Sequence, residues 1–385
     1  MRIALVTIFE LNHVTGGVAQ YIRRTAKGLS GLGHEVEIIS GDGFLPLRNL
    51  RQARLAAESM TGSRARFPWS RVTLMRYRMW RLRLRAGQMG RADVVNAQDA
   101  LAGAALLPVS GKPGIPLLTS FLGYTALHAL SEGKAEKGDR YHDFLVRIET
   151  EAFAGSARVI CADRSRVSYV RAMGLNNAVL APGGLDTEAF RPLDGDHGDY
   201  ILYVGNLLPE KGVAGCLQAF ARIAPEFPWL RLVFVGQGPM ESRLMRQARD
   251  AGLGDRVEFR GRVENSNLTE YYARARACLL PTIPLEGIKD GPAYAAQEAM
   301  ACGTPVIVSD VGGLAELVQD GVNGLVVPPG DALSISRALR RLLTDKSLSE
   351  KLGREGRETI VKNYSLERCA ARLEGIYQEV IREST

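Results

Sequence analysis

Two carboxylates, Asp290 and Glu298, stand eight positions apart in KDGPAYAAQEAMACGTPVI. Gly291 and Pro292 follow the first, and Ala293 to Ala301 then reads as a run of helix formers. Proline near the first helical position and glycine past the last, here Gly303, punctuate a short helix. A helix start behind a glycine turn exposes free N–H groups and the positive dipole end, which suits a phosphate or a sugar hydroxyl. At a rise of ~1.5 Å per residue the two carboxylates lie roughly 12 Å apart along the element. That span matches a nucleotide sugar from ribose to hexose. One carboxylate can then accept from ribose hydroxyls while the other meets the sugar. The plainer alternative makes Asp290 an N-cap and Glu298 a solvated side chain.

Two further groups could hold the phosphates of such a ligand. Gly16 and Gly17 sit where the first apolar run gives way to the first helical pattern. Glycine there lets the backbone approach a diphosphate with no side chain in the way; a plain tight turn is the alternative. Lys211 lies in VGNLLPEKG, straight after the first strand of the second half. An ammonium there can meet diphosphate charge as a leaving group departs. GxGxxG is absent, and Gly236-Gln237-Gly238-Pro239 lacks a third glycine, so hydride transfer on a dinucleotide is disfavoured. No DxD-like metal site or His/Cys cluster can be placed beside these residues. The expectation is a site with no metal and no cofactor, in which Lys211 and backbone N–H groups stabilise the leaving diphosphate.

Such scattered residues need a frame that brings strand ends together. The first half opens on Ile3-Ala4-Leu5-Val6-Thr7-Ile8-Phe9 and continues through Val36-Glu37-Ile38-Ile39, Val94-Val95, Pro116-Leu117-Leu118-Thr119 and Val159-Ile160-Cys161. The second opens on Tyr200-Ile201-Leu202-Tyr203-Val204-Gly205 and runs through Arg231-Leu232-Val233-Phe234-Val235-Gly236, Val257-Glu258-Phe259, Cys278-Leu279-Leu280 and Val306-Ile307-Val308. Helical patterns fill the gaps. Apolar strands alternating with helices imply parallel sheets covered on both faces. Ligands of such sheets bind beyond the carboxyl ends of the strands. The expectation is an α/β protein of two Rossmann-like, doubly wound parallel-sheet domains facing across a cleft. The polar stretch 193–199 reads as the linker between domains over 1–193 and 194–363.

Composition agrees with a large enzyme. The 385 residues are 46% hydrophobic, enough for two cores. No apolar run approaches the ~20 residues of a membrane span, and the opening MRIALVTIFEL reads as a buried strand and not a signal peptide. Five scattered cysteines without CxxC spacing read as reduced core residues of a cytoplasmic protein. The net charge of +7 is uneven: between Arg48 and Arg91 stand twelve arginines against one acid, Glu58. Phe67, Trp69, Val72, Leu74, Met75, Tyr77, Met79, Trp80, Leu82 and Leu84 lend that stretch an apolar face. A basic amphipathic segment with aromatics suits an anionic membrane surface; a solvated helical hairpin is the alternative. No recognition motif supports nucleic acid as a partner.

The segment from Asp290 to Val306 resembles the signature of retaining nucleotide-sugar glycosyltransferases of the GT-B fold, glycosyltransferase family 4, also called group 1. Those enzymes carry two acidic residues at this spacing, the second within EAMACGTPV. The resemblance implies that Glu298 binds the ribose and that Asp290, where glutamate is usual, positions the hexose. It implies that Gly16, Gly17, Gly291 and Pro292 contact the donor, and that Lys211 meets the diphosphate. Arg260-Gly261-Arg262-Val263 resembles the turn that reads the nucleobase, and Ala181-Pro182-Gly183-Gly184-Leu185 the crossing into the second domain. The resemblance assigns acceptor binding to the N-terminal domain over 1–193 and nucleotide-sugar binding to the domain over 194–363. Residues 364–385 are implied to pack back on the N-terminal domain. Three positions, Asp290, Asn206 and Leu122, depart from the pattern. Asn206 stands where the family has arginine, with Arg262 and Arg164 as candidate replacements. Leu122, in Phe121-Leu122-Gly123-Tyr124-Thr125, stands where relatives have a histidine that reaches the donor sugar, and Thr125 replaces an aspartate. His128 lies one turn on, and His34 matches a structural turn. The implied activity is metal-independent transfer, with retention, of a hexose from a nucleotide sugar to a cell-envelope, exopolysaccharide or lipid-linked acceptor at the inner membrane face. The rival reading is a non-catalytic nucleotide-sugar-binding module, which the three departures favour.

Overall fold

The computed structural model describes residues 1–11, 16–42, 71–88, 90–110, 115–131, 133–195, 197–284 and 294–384. Asp290, Gly291, Pro292 and the basic stretch from Arg48 to Ser70 therefore lie outside the described residues. The chain divides into two compact units. Met1–Ala162, Arg166–Ala181 and Ala370–Thr385 form the first, and Asp163–Ser165 with Pro182–Cys369 the second.

The first unit is built on a six-stranded parallel sheet: β1 (Arg2–Val6), β2 (Glu35–Ile39), β3 (Val94–Ala97), β4 (Leu117–Phe121), β5 (Arg158–Cys161) and β6 (Ala178–Leu180), in the order β2-β1-β3-β4-β5-β6. Ile3 pairs with Val36 on one side and Val94 on the other. Its helices are α1 (Gly17–Gly31), α2 (Arg71–Ala86), α3 (Ala100–Ser110), α4 (Thr125–Ser131), α5 (Arg140–Ala154) and α6 (Arg164–Ala172). The last of these begins on residues grouped with the second unit.

The second unit carries β7 (Tyr200–Val204), β8 (Arg231–Val235), β9 (Val257–Phe259), β10 (Cys278–Leu280), β11 (Val306–Ser309) and β12 (Leu325–Val327), in the order β12-β11-β10-β7-β8-β9. Alternate strand residues serve opposite faces, as the pleat requires. Ile201, Tyr203, Leu232, Phe234, Leu279 and Ile307 pack into one core, and Leu202, Val233, Val235, Cys278, Leu280, Val306 and Val308 into the other. Covering both faces are α7 (Val213–Ile223), α8 (Glu241–Asp250), α9 (Asn265–Arg274), α10 (Tyr294–Ala301), α11 (Gly312–Leu317), α12 (Ala332–Thr344) and α13 (Lys346–Tyr364). The closing helix α14 (Leu366–Ser384) crosses back into the first unit. There Ala370, Leu373, Tyr377 and Val380 share a core with Ile3, Leu5, Leu118 and Ile160.

Each sheet reverses its winding once, between β1 and β3 in the first unit and between β7 and β10 in the second. Those are the places where an open α/β sheet leaves a crevice at its carboxyl edge. The sequence reading had no β6 and no β12. Both are three-residue edge strands, too short for an apolar run to register. The change of unit falls at Ala181–Pro182, before the polar stretch 193–199, because Leu185 and Phe190 are already committed to the second unit's core.

All five cysteines are free and buried, and burial pushes the Cys302 thiol up to about 12. Among the described residues no helix is long and apolar enough to cross a membrane. One expectation needs correcting. Of the apolar face assigned to a bilayer, Val72, Leu74, Met75, Met79 and Leu82 turn into the unit's interior, where α2 packs on α3. Trp80 and Leu84, 52% and 49% exposed, are left outside. Several of the arginines are also spoken for: Arg83 donates to Ala105 O (2.9 Å) and Arg85 to Ser40 O (2.8 Å). Arg71 and Arg76 lie over the rings of Tyr141 and Phe144.

Candidate functional site

In the second unit the residues with chemistry gather at the carboxyl ends of β7 to β10. The β7 exit, Gly205 to Gly212, is stitched to both neighbours. Leu207 N–H donates to Gln237 O (3.0 Å), and Met240 N–H donates back to Leu207 O (3.1 Å). A Cβ at Gly236 would overlap the Gly205 carbonyl and one at Gly238 the Leu207 carbonyl. The pair that fails as a dinucleotide fingerprint thus lets two strand exits lie backbone on backbone. Sequence reading missed this role; glycines in matching positions after consecutive strands were the available signal.

Lys211 closes a single 3-10 turn, Pro209–Lys211, and is half-buried. Gly212 follows at φ +70 and starts α7. Only glycine suits that conformation readily, and a Cβ there would also overlap the Pro281 carbonyl. Ile283 N–H completes the contact by donating to Glu210 O (2.8 Å). The lysine's turn is therefore wedged between β7 and β10, at the point where the sheet reverses. The chain leaving β10 there leads on to Asp290, itself outside the described residues. Asn206 is exposed, and its carbonyl accepts from the Tyr203 hydroxyl (2.8 Å).

Glu298 lies on α10 and is 7% exposed. Its Oε2 accepts from the Tyr272 hydroxyl on α9 (2.9 Å), and Tyr272 is fixed in turn by Thr304 Oγ1, which donates to Tyr272 O (2.6 Å). Burial first, then the Glu298 charge, raises the Tyr272 phenol far above its ordinary range, so it remains a donor. A solvated Glu298 is thereby excluded. After β9, Arg262 is exposed while Val263 packs against the core. Gly236 N–H donates to Gly261 O (2.7 Å), holding that turn to the β8 exit. Arg164 is exposed, and its N–H donates to both Glu316 oxygens (2.9 and 3.0 Å). Among the described residues no group of three or more His, Cys, Asp or Glu could hold a metal.

In the first unit Gly16 is the exposed N-cap of α1, and Gly17 its exposed first residue. Among the described residues no side chain caps this helix and no acid stands in its first turn, an arrangement that suits an anion. At the β4 exit Leu122 O accepts from Arg166 (3.3 Å), and Thr125 N–H donates to Glu149 (2.9 Å). Glu149 also accepts from the Tyr169 hydroxyl (2.8 Å). The His128 ring lies 3.3 Å from where a Cβ on Gly123 would stand. His34 keeps to the opposite end of the strands, with Nδ1 3.4 Å from the Met1 amine and Nε2 3.2 Å from Glu374.

Comparison with known proteins shows the family and the fold. Residues 186–359 match the family model described as glycosyl transferases group 1, and residues 15–189 that of glycosyltransferase family 4. The chain is 30% identical, over 85% of its length and 86% of the relative's, to a D-inositol 3-phosphate glycosyltransferase of Frankia alni. It is 35% identical to an exopolysaccharide phosphotransferase of Streptomyces coelicolor, over 52% of this chain but 21% of that protein. Sucrose-phosphate synthase from Thermosynechococcus elongatus shares the fold with a TM-score of 0.77 at 23% identity, each chain fully covered. Anabaena HepE, solved in complex with UDP-glucose, does so at 0.71 and 17% identity, with 98% of this chain and 100% of that one covered.

Proposed function

The chain belongs to the group 1 glycosyl transferases of the GT-B fold, and we propose that it moves a hexose from a nucleoside diphosphate sugar to a saccharide or lipid-linked acceptor, with retention and without a metal. The observation that supports this reading best is the wedged turn at Lys211, which holds that residue's backbone at the reversal point of the second sheet. The bond from the anomeric carbon to the diphosphate oxygen breaks, and the acceptor hydroxyl forms its new bond on the same face. The departing phosphate oxygen takes the acceptor's proton. Lys211 and the amides at Gly16 and Gly17 stabilise the charge that develops on the leaving group. Glu298, oriented by Tyr272, receives the ribose hydroxyls, and Asp290 positions the hexose.

The proposal places the work in the cytoplasm at an anionic membrane surface. Supporting it, Trp80 and Leu84 are exposed one turn apart on α2, among arginines. Tyr77 stands 6.1 Å from Trp80. The deciding experiment is nucleotide release from a panel of UDP-, GDP- and ADP-sugars, with membrane extract as the acceptor source and with or without EDTA. Turnover that survives the chelator is expected. Tight donor binding with no release under any condition would instead indicate a binding module.

A further inference from the structure

The reversal point of the first sheet holds a buried charged pair that no step of the transfer uses. Asp99, directly after β3, is 9% exposed, and Arg78 on α2 is 7% exposed. Both grip one peptide group, that of Ile8 at the β1 exit. Asp99 Oδ2 accepts from Ile8 N–H (3.0 Å) and from Thr7 Oγ1 (2.8 Å), while Oδ1 accepts from Ala102 N–H at the start of α3 (2.7 Å). Arg78 Nη2 donates to Ile8 O (2.9 Å) from the other side. Gly41, at the β2 exit, is pressed so close that a Cβ there would overlap the same carbonyl oxygen. Three elements thus converge on a single peptide.

Burying two charges is costly unless they are well hydrogen-bonded. Desolvation pushes the Asp99 carboxyl up and the Arg78 guanidinium down from their ordinary ranges. Arg78 Nη2 lies 3.9 Å from Glu10, whose charge acts on it more than that of Asp99 does. Apolar side chains would hold a strand end at less cost, so the arrangement points to a need for close placement of the chain beyond Ile8. Three residues on, Leu11 is held again: its N–H donates to Asp42 (3.2 Å) and its carbonyl accepts from Arg23 on α1 (2.6 Å). The chain then leads to Gly16 and the amide end of α1.

We infer that Arg78 and Asp99 are positioning residues for the donor diphosphate, holding residues 8–11 so that the amides of Gly16 and Gly17 stand ready for it. The inference rests on the functional reading above and adds to it a role for a basic residue that composition alone would assign to a membrane.

The test is titration calorimetry of UDP, GDP and ADP, each against its own monophosphate, on wild type, Arg78→Met, Arg78→Lys and Gly41→Ala. Wild type is expected to prefer one diphosphate to its monophosphate. Arg78→Met should lose about tenfold of that preference, the scale of one hydrogen bond from a charged donor, while monophosphate affinity stays put. Arg78→Lys should recover part of it. Gly41→Ala displaces the same carbonyl while keeping both charged side chains, although its Cβ would also come within 3.4 Å of Arg78 Nη2; it should give the same selective loss, which keeps the idea testable should Arg78→Met not fold. An equal fall for both ligands would mean a merely structural role and sink the inference. So would an undiminished preference in Arg78→Met. If wild type itself favours no diphosphate, the functional reading fails, and this inference with it.

Discussion

At the scale of single residues, the proposed donor site is tested at Lys211 and Glu298. On the proposed mechanism, replacing Lys211 by alanine removes a charge from the developing diphosphate, and the expected loss is about 10²–10³ in kcat, read by steady-state nucleotide release. Unchanged turnover would remove Lys211 from the mechanism. Tyr272→Phe tests the other end. It removes the hydroxyl's bond to Glu298, and a hydrogen bond to a charged group is worth about 1.5–3 kcal/mol. A lowered melting temperature together with a raised donor KM is expected. Glu149 supplies a pH signature. Burial raises its carboxyl above the ordinary value despite the bonds from Tyr169 and Thr125. A raised folded-state pKa means that the folded protein binds this proton more tightly than the unfolded chain does. The associated stability is complete below the unfolded value of about 4.3 and is lost as pH rises through the folded one. Glu149→Gln should therefore flatten the fall in unfolding midpoint on going upward from about pH 4, measured by thermal denaturation across a pH series.

At the scale of elements, much rests on strand exits that glycine allows to touch. Gly212→Ala combines a positive φ with overlap of the Pro281 carbonyl, so Lys211's turn must move off β10. Loss of activity exceeding the loss of stability is expected. Gly174→Ala is the control: it shares a positive φ (81°) but meets nothing within 4 Å, so it should cost about 1–2 kcal/mol of strain and no activity. The helix Arg71–Ala86 makes a separate point about amphipathicity. Its apolar stripe was legible from spacing, but not its destination, since an inward face and a membrane face have the same composition. Vesicle sedimentation tests the two side chains left outside. Wild type should bind phosphatidylserine vesicles more than phosphatidylcholine ones, and the double variant Trp80→Ala, Leu84→Ala should lose that binding while keeping turnover on a soluble acceptor.

At the scale of the whole molecule, the closing helix belongs to the first unit although the chain reaches it last. Leu373, Tyr377 and Val380 fill the same core as Ile3 and Leu5, and Asn96 Nδ2, in the middle of that sheet, donates to the Tyr377 hydroxyl (2.6 Å). Burying each such side chain is worth about 1.5–3 kcal/mol, so removing all three takes away a large part of a net stability of about 5–15 kcal/mol. Truncation after Cys369 should leave the first unit unable to fold. A fragment of residues 182–369 should fold alone, as judged by a cooperative thermal transition.

The sequence by itself determined the alternation of strands and helices and the family, because apolar periodicity and glycine or proline punctuation are local properties of the chain. It also showed which positions depart from the family pattern: Asn206, Leu122 and Asp290. Tertiary structure alone decided that Glu298 is held by Tyr272, that Gly236 and Gly238 serve strand-exit packing, and that Arg78 grips the peptide at Ile8. Each of these is a contact between segments 26 or more residues apart. Side-chain type records what a residue can bond to, whereas the partner it meets depends on how the sheets are wound.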